Sequence, residues 1–166
     1  MRMRGAVSLL ALALLAAAPA PEVLTLDGLG PLRIGLSEAQ LRSRHRAVPE
    51  EASPDPEVDC ADWSSPLYPG IAMMVSGGRL VRIETEDARY RAPGGARVGL
   101  AEAELRARYG ARIRVEEHPY MGPEGKYLIV RASREPLAMI VETWGGRARS
   151  IRVGNWRSVQ LIEGCS

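Results

Sequence analysis

Acid–base, nucleophilic and metal chemistry draw on a short menu of side chains, and this chain offers little of it. Its two histidines, His45 and His118, lie far apart, and His118 has no Cys, Asp or His at metal-ligand spacing. Zinc spacing patterns are absent. So are Gly-x-Ser-x-Gly, Ser-x-x-Lys and a phosphate-cradling Gly-x-x-x-x-Gly-Lys. Paired carboxylates occur at Glu50/Glu51, Glu84/Glu86 and Glu116/Glu117. Adjacent acids on a strand point to opposite faces, whereas Glu84 and Glu86 share one. Such pairs read as solvated surface charge, because a glycosidase needs two acids at defined separation across a cleft. The residues therefore predict a protein with no catalytic residue, no metal ligand and no cofactor.

Recognition chemistry is better represented. His118-Pro-Tyr-Met-Gly-Pro-Glu-Gly-Lys126 reads as a nine-residue loop shaped by two prolines and two glycines, with Tyr120 and Met121 near its tip. Aromatic and Met side chains on a long loop mark a recognition surface. Trp144 and Trp63 join Tyr120, Met121 and His118 as candidate binding residues. The competing reading is that these rings cap a core that contains no Phe. Trp63, Trp144 and Trp156 also suit stacking on sugar rings, which makes a carbohydrate-binding module or a small hydrolase the alternative function. The two cysteines, Cys60 and Cys165, form an even pair, most simply a disulfide in an oxidising compartment.

The elements that must position these residues follow from an internal echo. Arg33-Ile-Gly-Leu-Ser-Glu-Ala-Gln-Leu-Arg-Ser-Arg44 returns as Arg97-Val-Gly-Leu-Ala-Glu-Ala-Glu-Leu-Arg-Ala-Arg108, identical at eight of twelve positions and offset by 64 residues. Ala72-Met-Met-Val75 with Gly77-Gly-Arg79 is likewise matched by Ala138-Met-Ile-Val141 with Gly145-Gly-Arg147. Each copy predicts a helix, running to about His45 or over Leu100 to Tyr109, followed by an antiparallel hairpin around a Gly-Gly turn. Ser37 with Gln40 forms a capping box, and Ala101 leaves the second helix start weaker by about 1 kcal/mol. His45 aligns with Tyr109, which predicts a packing role for it. Leu80, Arg82 and Glu84 alternate with Val81, Ile83 and Thr85, predicting a strand with one wet face. Val48 to Asp59, rich in proline and acid, reads as an exposed loop, and 158–162 as a final strand.

Arg2 and Arg4 followed by the apolar run Ala6 to Ala18 read as a secretory signal, too short to span a membrane. The expected organisation is a signal peptide over 1–20, repeat 1 over 21–87, repeat 2 over 88–153, and a tail over 154–166 stapled to repeat 1. Removing the two leader arginines cancels the formal charge of +2, so there is no electrostatic case for a nucleic-acid partner.

The Gly-Leu-Ser-Glu-Ala-Gln-Leu helix start and Gly-turn hairpin resemble the small unit of the SmpA/OmlA (BamE-like) outer-membrane lipoproteins. In tandem, the unit resembles the β-lactamase inhibitor protein (BLIP-like) architecture. The chain departs from the first in having no lipidated cysteine and from the second in having no disulfide within each repeat. The resemblance implies an α+β fold of two tandem repeats, each one helix plus an antiparallel β-meander, packed as one compact domain. Together, residues and resemblance predict a periplasmic or secreted protein with no stable membrane anchor. Its expected role is to bind a protein partner of the bacterial envelope, in one version as an enzyme inhibitor.

Overall fold

The structure is a computed structural model that describes residues 22–53, 55, 59–133 and 136–165. The signal-peptide expectation on 1–20 lies outside the described residues. The chain opens with three two-residue strands, β1 (Leu24–Thr25), β2 (Gly28–Leu29) and β3 (Leu32–Arg33), which form a small antiparallel sheet. Helix α1 (Glu38–His45) and strands β4 (Val48–Ala52), β5 (Cys60–Ser64), β6 (Ile71–Ser76) and β7 (Arg79–Thr85) come next. Then follow α2 (Glu102–Tyr109), β8 (Arg114–His118), β9 (Gly122–Arg131), β10 (Leu137–Trp144), β11 (Arg147–Asn155) and a short α3 (Trp156–Val159). Strands β4 to β11 make one eight-stranded antiparallel sheet in the order β4-β5-β6-β7-β11-β10-β9-β8.

The expectation of an α+β fold built from two helix-plus-meander repeats is overturned. The protein is mostly β, with 47% of the described residues in strands and 19% in helices, and strands β4 to β11 share one sheet. The reason lies in what each element buries. Each eight-residue helix buries two side chains, Leu41 and His45 or Leu105 and Tyr109, too little to organise a unit. The strands carry the apolar runs, and β7 pairs with β11 from Ile151↔Thr85 to Gly154↔Arg82, which closes the sheet across the middle of the chain.

The echoed residues nevertheless make matching bonds. Gly35 N donates to Leu80 O at 2.7 Å and Gly99 N to Ala148 O at 2.9 Å, so each helix start docks on a hairpin. Both glycines have positive φ, 92° and 88°, which explains their recurrence. Arg79 Nη1 donates to Gly35 O at 2.9 Å and Arg147 Nη1 to Gly99 O at 3.0 Å, giving the Gly-Gly-Arg turns their purpose.

Alternation along the strands divides the interior in two. One face of the sheet presents Met73, Leu80, Ile83, Met139, Ile151 and Val153 to Leu41, Leu105, Tyr90 and the small sheet's leucines. The other face carries Tyr127, Ile129, Ala138 and Ile140 beneath Val159, with Trp156 and Ile162 packed alongside. Cys60, Met74 and Cys165 cluster on that face as well. Three element expectations change. Residues 48–52 form edge strand β4 rather than loop, with Pro49 at a register shift where an edge tolerates it. The expected last strand is replaced by α3 and turns. The nine-residue loop shrinks to residues 119–121 between β8 and β9.

Candidate functional site

The tip between β8 and β9 is held by the side chains at its base. His118, 4% exposed, accepts a hydrogen bond at Nδ1 from the Tyr120 backbone N–H at 3.1 Å. Its other ring nitrogen, Nε2, lies 3.5 Å from Glu142 Oε1, and the ring rests against Tyr127 with centroids 4.7 Å apart. His118 is thus a brace for the tip and is shielded from solvent. Gly125 completes the bend: a Cβ there would sit 2.4 Å from Met121 Cβ and 2.8 Å from His118 Cβ, so only glycine lets the tip fold back on β9.

Folded this way, the tip displays what the sequence placed on it. Tyr120 is 68% exposed, Met121 40% and Trp144 47%. Met121 and Trp144 line one depression of about 400 Å³ together with Glu86, Val98, Glu142 and Arg149. Tyr120 lines the next, of about 280 Å³, with Leu161, Ile162 and Glu163. Its hydroxyl donates to Glu163 Oε1 at 3.3 Å. Arg149 leans over the Trp144 ring at 5.7 Å. The result is an apolar stripe, Trp144–Met121–Tyr120–Leu161, edged by charges.

Trp63 is not part of that stripe. It is 2% exposed, in the core, with the Arg42 guanidinium 4.5 Å above its ring. Trp156 is half-buried beneath Arg131, 4.4 Å away. His45 is buried too, its Nδ1 2.9 Å from the Tyr68 hydroxyl, and burial together with neighbouring Arg44 lowers its pKa.

The face under the tail holds a charge cluster that sequence reasoning missed. Arg152, 1% exposed, pairs through Nη2 with Glu142 Oε2 at 3.0 Å and donates from Nη1 to Leu161 O at 3.1 Å. Arg82 pairs with Glu84 at 3.1 Å and donates to the same Leu161 oxygen at 2.7 Å. Burial pushes the Glu84 carboxyl up, opposed by Arg82 and Arg152. The strand predicted to have a wet face is therefore covered on both sides. A bulge opposite Met74/Val75 sends Leu80 into the main core, while Arg82 and Glu84 face the tail. The available signal was an Arg-x-Glu on a strand in a chain short of other covering residues. Cys60 and Cys165 are disulfide-bonded with Cα atoms 5.4 Å apart, which fastens the tail to β5.

Among the described residues, no three His, Cys, Asp or Glu side chains gather as metal ligands. Among the same residues, no helix is long and apolar enough to cross a membrane. No protein-family model and no curated protein sequence matches the chain. Among solved structures, it is similar to the uncharacterized protein YfeY from Escherichia coli, with 14% identity and a TM-score of 0.42 over 80% of this chain and 99% of that one.

Proposed function

We propose that this is an exported, non-enzymatic binding protein of the bacterial envelope, which engages a protein partner through the Trp144–Met121–Tyr120–Leu161 stripe. One observation carries the reading: four of the seven large apolar side chains left exposed among the described residues line two depressions that meet the chain at the neighbouring residues Tyr120 and Met121. Clustered exposed apolar groups rimmed by charge are the usual form of a protein-binding surface, and Tyr, Trp and Met are favoured at its centre. The disulfide supports an oxidising compartment, periplasmic or extracellular. The narrower form of the reading is an inhibitor whose Tyr120 and Met121 enter an enzyme's cleft. A sugar-stacking platform has less support, since Trp63 is buried and Trp156 is covered by Arg131.

The test is capture from a crosslinked envelope extract of the host on immobilised oxidised protein, followed by affinity measurement with the purified captured protein. Tyr120→Ala/Met121→Ala should weaken that affinity by at least about tenfold, as truncating central contacts does. An unchanged affinity would remove the stripe from the interface. If the captured protein is an enzyme, its activity should fall with the parent chain and recover with the variant.

A further inference from the structure

The segment 156–165 crosses the lower sheet face as a strap, and its two halves are held by different means. The first half is pinned from below. Val159 is fully buried against Tyr127, Ile129 and Ile140. Arg82 and Arg152 both grip the Leu161 carbonyl, and Arg82 reaches the Ser158 carbonyl at 3.4 Å. The second half, 162–165, is held by the packing of half-buried Ile162, by the exposed Tyr120–Glu163 hydrogen bond, and by the Cys60–Cys165 bond, which seats Cys165 against Met74 and Val81. That second half also supplies Ile162, Glu163 and Gly164 to the wall facing Tyr120.

We infer that the Cys60–Cys165 disulfide is a latch that completes the Tyr120 binding surface only in the oxidised chain. The inference rests on the binding role proposed above and adds its regulation. Closing the latch joins two thiols into one S–S bond and releases two protons and two electrons. An exchange-active disulfide of the oxidising compartment accepts them and becomes a dithiol, and a dithiol reductant reverses the step. With the latch open, the arginine pair keeps 156–161 in place while 162–165 swings free, and Tyr120 loses its facing wall. Before oxidation the chain would lack a competent surface, so partner binding is confined to the compartment where the bond forms.

The test compares the oxidised chain with Cys60→Ser/Cys165→Ser by backbone NMR. In the oxidised chain, order parameters over 156–164 should sit near about 0.85; in the variant those of 162–164 should fall below about 0.6 while Trp156–Val159 keep theirs. Reducing the folded oxidised protein with a phosphine should reproduce the change, and unchanged shifts in α1 and α2, which pack on the opposite face of the sheet, confirm that the fold persists. Rigid 162–164 in the variant, or equal loosening of the whole strap, would overturn the latch. The second arm measures affinity for the captured partner, expected to drop at least about tenfold in the variant. Equal affinity in both forms would overturn the regulation and leave the binding role standing. A partner bound by neither form would sink the binding role, and the latch's function with it.

Discussion

The tip's geometry turns on residues buried at its base. Gly125 is the sharpest case, because a methyl group there overlaps the Cβ atoms of Met121 and His118, each fixed to backbone. Gly125→Ala should destabilise the protein by about 1–3 kcal/mol, the usual range for overpacking, and on the proposed binding role should weaken affinity for the captured protein through displacement of Tyr120. Denaturant titration and the affinity measurement read the two effects separately. His45 governs a pH effect instead. The unfolded chain protonates this ring near 6.5, whereas the folded protein, with the ring buried beside Arg44, does so only at lower pH. Between those two values the unfolded state binds more protons, so stability falls as pH drops from neutral into that window and is flat above it. Stability measured from pH 8 to 5 should therefore decline more steeply in the parent chain than in His45→Gln. Parallel curves would place the titration elsewhere.

The two helices present a natural comparison. In α1, Ser37 and Gln40 form a reciprocal capping box, with Gln40 N donating to Ser37 Oγ at 3.3 Å and Ser37 N to Gln40 Oε1 at 2.9 Å. In α2, Ala101 makes no side-chain cap, yet its extended φ of −67° and ψ of 140° suit one, and Glu104 stands at the reciprocal position. Ser37→Ala should cost about 1 kcal/mol, and Ala101→Ser should add about 0.5–1 kcal/mol, both read as midpoint shifts at constant slope. Such features could be read from sequence because their causes lie within a few residues. Helix α2 starts at Glu102 rather than Leu100, but the Ser37 cap, the helix ends at His45 and Tyr109 and the Gly-Gly hairpins came out where the local pattern put them. Strand β4 did not, because pairing to β5 rather than composition makes Val48–Ala52 extended. Nor did the overall class, since whether two meanders stay apart or fuse depends on the β7–β11 pairing of residues some 70 positions apart. Tyr120, Met121 and Trp144 were found as exposed candidates by type and loop position. Trp63 was buried by contacts no local pattern announces, and Arg82 was covered by a strap from residues 158–161.

At the scale of the whole molecule, the chain is held across its middle by the β7–β11 ladder and by the charges above it. Arg152 on β11 reaches Glu142 on β10, Leu161 on the strap and, at 4.0 Å, Glu84 on β7, while Arg82 on β7 shares the Leu161 oxygen. Both halves of the sheet and the strap therefore meet in one buried set of ion pairs. Such a set gives little net stability relative to an apolar equivalent, but removing one member leaves buried charge uncompensated. Arg152→Met should thus cost about 3–5 kcal/mol, more than a surface pair could explain. Its signature is coupling. In Arg152→Met/Glu142→Gln the loss should be smaller than the sum of the two single losses, because the second substitution neutralises a carboxylate the first has stranded. Chemical denaturation of the four chains, all kept oxidised, measures this directly. Strict additivity would mean that Arg152 acts independently of Glu142, and its grip on the Leu161 carbonyl and its contact with Glu84 would then be what ties it to the strap and to β7.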